Sequence, residues 1–410
     1  MVGGEKGKRA AAGLVLALCM AAALLEGFDN QSIGAVAPRL LRALHLQPAA
    51  LGPVLTASTV GLLIGAAAGG RLADRFGFRI VLVSTVALMG LASCATVFAY
   101  DAPTLFAARF FTGLGLGGSL PNVLALVSGT VAQARRGAAV SAVYAGLPFG
   151  GAIAAGVTLL GATDEWRTVF LVGGLIPLAL APALALLPDR TGSAADRRAA
   201  RPVAPVSEVL FGEGRALATV LLWCSFVLTL LILYLLLNWL PTLTASRGYG
   251  RDTVALVQTA FNLGGALACL CTGSLLDGAR RGGFIVAVYG LLGLAVAGLA
   301  TLNAGPALEI ALGGVLGAAV LLAQTVLYDA APRLYPEAVR GTGVGWAVAL
   351  GRIGSIAGPL LGGALVAHGS TPAEVLMRLT PVVALAGVGT LLHEWRARAA
   401  LTRLATAPAA

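Results

Sequence analysis

Two acidic residues, Glu26 and Asp29, stand inside a long apolar stretch that runs from Ala10 to Pro38. The segment Leu14–Leu25 carries no charge, which is typical of a membrane-spanning helix and not of a soluble core helix. A charged side chain at the centre of a bilayer costs about 2.5–3.5 kcal/mol on insertion scales, so such residues commonly mark the path of an ion, proton or substrate. A spacing of three places both carboxylates on one helix face.

Two arginines fall inside other apolar runs, and a guanidinium stays charged in proteins. Arg109 precedes a glycine-rich stretch in which Gly113 and Gly117 permit close helix contact. Its partner would be Asp29 or Glu26; alternatively, its side chain extends to the outer interface. Because a carboxylate that gains or loses a cationic partner changes its proton affinity, these three residues are candidates for proton coupling. Asp29 is the favoured proton carrier, and Glu26 is either a second proton site or a residue that tunes Asp29 by like-charge repulsion.

Arg352, the second arginine, lies roughly 18 Å along a helix from the start of its apolar run, so its side chain cannot easily reach an interface. A guanidinium can hold a carboxylate by two parallel hydrogen bonds. We therefore expect Arg352 to bind a substrate carboxylate, and the alternative is a structural pair with an acid of the protein.

Further polar and aromatic residues within the apolar runs are candidates for a binding pocket. Any single amide can simply join two helices by a hydrogen bond. As a set they predict an amphipathic pocket for an aromatic acid, in which the ring stacks and polar groups bond a hydroxyl or carboxylate. The candidates are Asn122, Tyr144, Asn238, Trp239, Gln258, Asn262, Gln324, Tyr328 and Trp346.

Twelve apolar runs of about 20 residues would position these side chains. The 410-residue chain is 58% hydrophobic and 11% charged, with a mean hydropathy of +0.88, whereas soluble domains contain roughly 25% charged residues. The composition therefore predicts an all-α polytopic membrane protein. The runs lie near residues 10–37, 50–73, 79–100, 103–129, 138–162, 166–187, 216–241, 252–276, 283–302, 306–331, 341–366 and 372–395.

Basic residues are distributed unevenly around these runs. If the N-terminus is cytoplasmic and twelve spans alternate, twenty of the 28 Lys and Arg residues lie on the inner side and five on the outer side. Cytoplasmic loops carry such an excess, so both termini are expected in the cytoplasm. The formal net charge of +10 then reflects membrane topology, and we expect no nucleic-acid partner.

Two similar halves are indicated by a long polar stretch and by repeated motifs. Residues 188–215, rich in Arg, Pro and Ala, predict a cytoplasmic linker between an N-terminal six-helix half, 1–187, and a C-terminal half, 216–410. Gly70–Asp74 is echoed at Gly273–Asp277, and the Arg-Gly pair that begins at Arg136 recurs at Arg340, each at a nearly constant offset. Parallel halves that rock about a site near the membrane midplane form one large class of transporters.

The connection between the second and third runs reads Gly-Arg-Leu-Ala-Asp-Arg-Phe-Gly-Phe-Arg. An acid at a cytoplasmic helix end can face the positive N-terminal end of another helix, here the eleventh run, and so tie the two halves in one conformation. The residues that carry this expected conformational role are Gly70, Asp74, Arg75, Gly77 and Arg79.

This connection resembles the loop signature of the major facilitator superfamily, although Phe78 replaces the first of two closing basic residues. Other motifs resemble the aromatic acid:proton symporter family within it. They are Leu25–Asp29, Gly115–Asn122, Asn238–Pro241, Arg340–Trp346 and Gly351–Gly354.

The resemblance covers nearly the whole chain and implies a major facilitator fold with uptake of an aromatic carboxylate together with protons. It also implies functional roles for the two acids of the first span, for Arg109 and for Arg352. Two departures stand out. The usual acid near the inner end of the fourth run is replaced by Gly129, and Asp329 stands where a small apolar residue is more usual. Asp329 either supplies a substitute charge or lies at the cytoplasmic mouth.

The leading functional hypothesis is a proton-driven importer of an aromatic carboxylate, of hydroxyphenylpropionate or benzoate type, in the bacterial inner membrane. The alternatives are a proton-coupled antiporter of drugs or other organic solutes and a membrane sensor that binds aromatic acids without transport. We expect no enzymatic activity, cofactor or metal, because the sequence contains no nucleophile motif, metal-ligand cluster or phosphate-binding loop. We also expect a lipid-embedded monomer.

Overall fold

The computed structural model describes residues 2–130, 136–159, 166–186, 206–271, 281–302, 305–335 and 340–406. Over these residues the chain forms thirteen α-helices, of which twelve are at least 18 residues long. The short helix, Val206–Phe211, falls within the stretch predicted as a linker. The long helices are α1 (Val2–Ala43), α2 (Pro48–Phe76), α3 (Phe78–Thr96), α4 (Ala102–Thr130), α5 (Arg136–Leu159), α6 (Arg167–Leu184), α7 (Ala216–Ser246), α8 (Arg251–Cys271), α9 (Arg281–Thr301), α10 (Pro306–Leu334), α11 (Arg340–Ala367) and α12 (Pro372–Thr406).

Ten helices in the described parts of the chain are long and apolar enough to cross a membrane, judged by length and composition. A bilayer offers no water to bond exposed backbone groups, so an apolar run of this length forms a helix, which satisfies its own N–H and C=O groups. Several helices extend beyond the apolar runs that predict them. The structure thus shows an all-helical membrane protein.

The predicted loop after the second run is mostly helical. α2 continues through Gly70 to Phe76, and only Gly77 interrupts the backbone before α3 begins. Gly77 has a φ of 91°, a left-handed conformation that glycine adopts without steric strain. The motif residues therefore belong to two helix ends joined by a one-residue turn.

The helices pack as two sets with the same internal pattern. In the first set α1 packs on α5, α2 and α3 on α4, and α3 on α6. In the second set α7 packs on α11, α8 and α9 on α10, and α9 on α12. Each pair of the second set is the corresponding pair of the first set moved on by six helices. The sets meet where α1 contacts α7, α2 contacts α11, and α5 contacts α8.

Equivalent glycines allow the closest contact within each set. A side chain at Gly150 of α5 would overlap the backbone carbonyl of Leu24 on α1, and a side chain at Gly354 of α11 would overlap the carbonyl of Val227 on α7. Membrane helices use such small residues to bring two backbones together, because apolar side chains gain little by leaving lipid.

Contacts between the two sets include one group of residues near the same end of the bundle. Gly34 of α1 lies against Leu237 and Asn238 of α7. Gly52, near the start of α2, lies against Gly363, near the end of α11. α1 with α7, and α2 with α11, are therefore in contact at the end that the predicted topology places outside the cell.

Replacing Gly354 by alanine should destabilise the protein by about 1–3 kcal/mol, because the added methyl group forces α11 away from α7. Thermal unfolding in detergent measures this effect. The matched control is Gly290→Ala on α9, where a methyl group meets nothing within 4 Å and should change stability by no more than about 0.5 kcal/mol. Equal melting temperatures for the two variants would contradict the packing described.

Candidate functional site

Asp29 and Arg109 form a fully buried ion pair between α1 and α4. Arg109 Nη2 lies 2.8 Å from Asp29 Oδ2, and both side chains are 0% exposed. Arg109 also donates from Nη1 to Asp29 Oδ1 at 3.2 Å and from Nη2 to the Asp29 backbone oxygen at 2.9 Å. The arginine thus binds an acid of the protein instead of extending to an interface.

The same pair is connected to two more helices. Ser93 of α3 donates its hydroxyl to Asp29 Oδ1 at 2.7 Å. The Arg109 guanidinium lies over the ring of Phe170 on α6, 5.4 Å from its centroid. Because removing either charge would leave the other buried without its partner, this pair holds α1, α3, α4 and α6 in a fixed arrangement.

Glu26, one turn earlier on α1, has a different environment from Asp29. Its side chain is 5% exposed, and it accepts a hydrogen bond from Ser119 of α4 at 2.8 Å. Ser119 is neutral, so this bond does not neutralise the carboxylate. The cation that interacts electrostatically with Glu26 is Arg352.

Arg352 on α11 donates from Nη1 to the hydroxyl of Tyr234 on α7 at 3.0 Å. Within the described parts of the chain this is the one hydrogen bond recorded for its guanidinium, which carries five N–H donors. Glu26 attracts Arg352 by Coulombic interaction, but no direct ion pair joins the two among the described side chains. Arg352 is only partly buried, so its remaining donors are available to an anion.

Aromatic side chains surround this guanidinium. The rings of Tyr144 on α5 and Tyr328 on α10 lie 6.3 Å apart. Phe226 of α7 packs edge-on against Tyr328 at 5.3 Å, and Gln324 lies one turn before Tyr328 on α10. We define the central cluster as Glu26, Tyr144, Tyr234, Tyr328 and Arg352.

The central cluster lies between the two helix sets. α1 and α5 of the first set supply one acid and one tyrosine, while α7, α10 and α11 of the second set supply two tyrosines and the arginine. A cation with free donors, flanked by aromatic rings, can hold a carboxylate and stack the ring attached to it.

Four predicted pocket residues donate hydrogen bonds to helix backbone. Asn238 donates to the Tyr234 oxygen at 2.8 Å, and Asn262 donates to the Gln258 oxygen at 3.0 Å. Gln258 itself donates to the Leu237 oxygen at 3.4 Å. Trp239 is fully buried and donates to the Pro359 oxygen at 2.9 Å. The bonds of Asn238 and Asn262 each lie within one helix. The bond of Gln258 joins α8 to α7, and the bond of Trp239 joins α7 to α11.

Trp346 lies apart from the central cluster. Its side chain is 44% exposed, and it shares a helix face with Ile353 and Leu360, which follow at intervals of seven and are also exposed.

The side chain of Asn122 lies outside the described residues. The side chain of Asp74 also lies outside the described residues, and so does its expected interaction with the start of α11. Arg75 is exposed and stacks over the ring of Phe76, and Arg79 lies in the first turn of α3.

Asp329 belongs to a second group of charges. It pairs with Arg281 of α9 and with Arg333 one turn away on α10, the latter at 3.1 Å. Arg281 also contacts Glu394 of α12 at 2.9 Å. These contacts join α9, α10 and α12 near the start of α9, and Asp329 directly follows Tyr328 of the central cluster along α10.

Sequence analysis missed Ser93, Ser119 and Tyr234. Serine and tyrosine are frequent within membrane helices, and their roles depend on which helix they face. One available signal was the position of Tyr234, a polar residue in an apolar run four residues before Asn238. The serines offered no comparable signal, because each acquires its role from an acid more than 60 residues away in sequence.

Two repeated helix sets that surround buried ionisable groups define a secondary membrane transporter of the alternating-access type. Its family follows from sequence: the chain belongs to the Major Facilitator Superfamily, whose family model matches residues 19–359.

Characterised relatives match almost end to end. The chain is 39% identical to the 3-(3-hydroxy-phenyl)propionate transporter of Escherichia coli, over 92% of this chain and 93% of the relative. It is 33% identical to the gallate transporter of Pseudomonas putida, over 96% and 94%. It is 32% identical to a 4-hydroxybenzoate transporter of Pseudomonas aeruginosa, over 92% and 91%.

Solved structures share the fold at low identity. The crystal structure of a D-xylose–proton symporter gives a TM-score of 0.70 at 18% identity, covering 96% of this chain and 98% of that one. A bacterial homologue of the human lysosomal transporter Spinster, in an inward-facing unoccupied conformation, gives a TM-score of 0.62 at 16% identity, covering 97% and 99%. At these identities the likeness establishes the fold alone.

Replacing Asp29 by asparagine should destabilise the protein by about 3–5 kcal/mol, because Arg109 would keep its charge without a buried counter-ion. Thermal unfolding of the purified protein measures the loss. The double variant Asp29→Asn with Arg109→Gln removes both charges and should be less destabilised than the single variant. Asp252→Asn, at an exposed position of α8, should change stability by no more than about 0.5 kcal/mol. A single variant as stable as this control would contradict the structural role of the pair.

Proposed function

We propose that this protein is a proton-coupled secondary transporter that imports an aromatic monocarboxylate, of hydroxyphenylpropionate or benzoate type, across the bacterial inner membrane. The observation that carries the proposal is the Arg352 guanidinium, which uses one of its donors on Tyr234 and faces aromatic rings between the two helix sets. The names of the three relatives described above, each a transporter of a hydroxylated aromatic acid, support the same substrate class.

In the proposed complex the substrate carboxylate accepts two hydrogen bonds from Arg352, and its ring lies against Tyr144, Tyr328 and Phe226. Gln324, one turn before Tyr328 on α10, would supply a polar group to the same wall of the site. Asn238, Trp239, Gln258 and Asn262 then support the site by fixing the helices around it.

The proposed topology has twelve transmembrane helices in two six-helix halves, with the 188–215 linker and both termini in the cytoplasm. The excess of basic residues on the inner side supports it, and so does the repeated packing of the two helix sets. In this topology the contacts of Gly34 with Asn238 and of Gly52 with Gly363 close the outer end, which corresponds to an inward-facing state. The α2–α3 connection, with Gly70, Asp74, Arg75, Gly77 and Arg79, would act at the inner end when the halves rock.

Proton coupling has an energetic reason. Moving one anion into a cell against a potential of 100 mV costs about 2.3 kcal/mol, and one accompanying proton cancels this cost. The acids of α1, Glu26 and Asp29, are the candidate proton carriers because both are buried within the span, Glu26 in the central cluster and Asp29 one turn further along the helix. Accumulation then depends on the pH gradient. The protein would act as a single chain embedded in lipid.

The test of this function is uptake of radiolabelled benzoates, phenylpropionates and cinnamates by cells that express the protein. We expect accumulation of at least one hydroxylated aromatic acid, and its loss when a protonophore collapses the proton gradient. The corresponding uncharged amides should not be taken up, because they lack the anion that Arg352 binds. Accumulation unaffected by the protonophore would contradict proton coupling, and uptake of no carboxylate in the panel would contradict the substrate class.

Replacing Arg352 by lysine should raise the half-saturation concentration for the carboxylate at least tenfold, because an ammonium group cannot make the planar two-point contact. Ten-fold corresponds to about 1.4 kcal/mol, within the range of a charge-assisted hydrogen bond. Initial uptake rates at several concentrations measure it. The matched control is Arg333→Lys, at an exposed position that should leave uptake unchanged. An unchanged half-saturation concentration for Arg352→Lys would remove this residue from the substrate site.

A further inference from the structure

The central cluster contains one acid and one base that face each other across the two helix sets without forming a direct ion pair. Glu26 belongs to α1 and is held by the neutral Ser119, while Arg352 belongs to α11 and is held by the neutral Tyr234. Each charge therefore has one neutral hydrogen-bond partner and an opposite charge nearby.

Asp29 differs from Glu26 in every relevant respect. Its carboxylate accepts two bonds from Arg109 and one from Ser93, and it has no exposed surface. A proton on Asp29 would displace a guanidinium bond and leave the buried Arg109 charge uncompensated, which is costly in a medium of low dielectric constant. Protonation of Glu26 breaks no ion pair, because its recorded partner is a hydroxyl group, which can also accept a hydrogen bond from a carboxylic acid.

We propose that Glu26, and not Asp29, carries the coupling proton, and that ionised Glu26 acts as the internal counter-ion of Arg352 whose place the substrate carboxylate takes. This inference rests on the proposed function and specifies how that site is regulated. Asp29 and Arg109 then form a permanent structural pair beside the site.

Charge balance explains why proton and substrate must enter the cluster together. With Glu26 ionised, the charges of Glu26 and Arg352 cancel, so an added carboxylate leaves the partly buried site with one uncompensated negative charge. Placing such a charge in a poorly solvated site is strongly unfavourable. When Glu26 accepts a proton, the substrate carboxylate becomes the counter-ion of Arg352, and the loaded site is neutral again. One proton therefore accompanies each carboxylate, and the membrane potential does not oppose the loaded step.

The groups that face Glu26 from the helices packed around it are consistent with a single titrating site. α4 contributes Ser119, and Arg109 of the same helix binds Asp29 instead. α5 contributes Tyr144 and α11 contributes Arg352, which in turn lies near Tyr234 and Tyr328. Apart from Glu26 itself, Arg352 is the one charged side chain of the central cluster as defined above.

The first test is the variant Glu26→Gln, which imitates the protonated acid. In membrane vesicles it should exchange labelled for unlabelled substrate but fail to accumulate substrate in response to a pH gradient. Its substrate dissociation constant should vary by less than about twofold between pH 5 and pH 9. The substrate dissociation constant of the unmodified protein should rise by about tenfold per pH unit at pH values where Glu26 is ionised, since one proton is linked to binding. Gradient-driven accumulation by Glu26→Gln, or a dissociation constant with the unmodified pH dependence, would overturn the inference.

A matched pair of serine variants tests the same assignment without removing either acid. Ser119→Ala removes a hydrogen bond from Glu26, and Ser93→Ala removes one from Asp29. Losing a bond that favours the ionised form makes a carboxylate hold its proton to higher pH. We therefore expect Ser119→Ala to move the pH midpoint of substrate binding upward by about one unit, while Ser93→Ala leaves it unchanged. A shift in Ser93→Ala alone, or in neither variant, would overturn the assignment to Glu26.

Failure of this inference can be distinguished from failure of the proposed function. If the unmodified protein takes up no aromatic carboxylate, the proposed function is wrong. If it accumulates a carboxylate with protons and Glu26→Gln does the same, transport stands and only the role of Glu26 is wrong. A normal abundance of Glu26→Gln in the membrane, compared with Glu26→Asp, shows that loss of accumulation does not reflect loss of the protein.

Discussion

The fold depends on one constraint: an ionised side chain inside a membrane protein must have a partner, because neither lipid nor a dry helix interface can solvate it. Asp29 and Arg109 satisfy this requirement completely, and their contacts with Ser93 and Phe170 draw four helices of the first set around one buried pair. The glycines at helix crossings complement this ion pair. They bring the backbones together, while the ion pair determines which helix faces meet.

The central cluster contrasts with that pair. Complete pairing makes a charge structural, since its partner cannot leave without a large loss of stability. Glu26 and Arg352 each bond a neutral hydroxyl and come from helix sets that move relative to each other in transporters of this fold. Incomplete pairing in a partly accessible space leaves room for an incoming anion and proton. The difference between the two sites, one turn apart on α1, is therefore a difference in how fully each charge is compensated.

Much of the architecture was predictable, and the differences have physical causes. The apolar runs located every long helix, because an uncharged stretch of about 20 residues has few stable alternatives in a bilayer. Helix ends were less predictable. α1 extends from Val2 to Ala43, well beyond the predicted residues 10–37, because a helix can continue past the apolar layer where water solvates its polar residues. Gly70–Phe76 was predicted as part of a connection and forms about the last two turns of α2. Asn238 and Asn262 lie within helices as predicted, yet each donates to a carbonyl of its own helix.

The sequence by itself determined the class of protein and the positions of the apolar helices, and it predicted two repeated halves. It also identified the few charged residues inside the apolar runs, which are costly in a membrane and therefore candidates for function. Only the tertiary structure decided that Arg109 binds Asp29, that Ser119 binds Glu26, and that Arg352 binds Tyr234. The reason is geometric. Helical periodicity states which residues share a face, but the identity of the facing helix depends on packing between segments that are 80 or more residues apart in sequence.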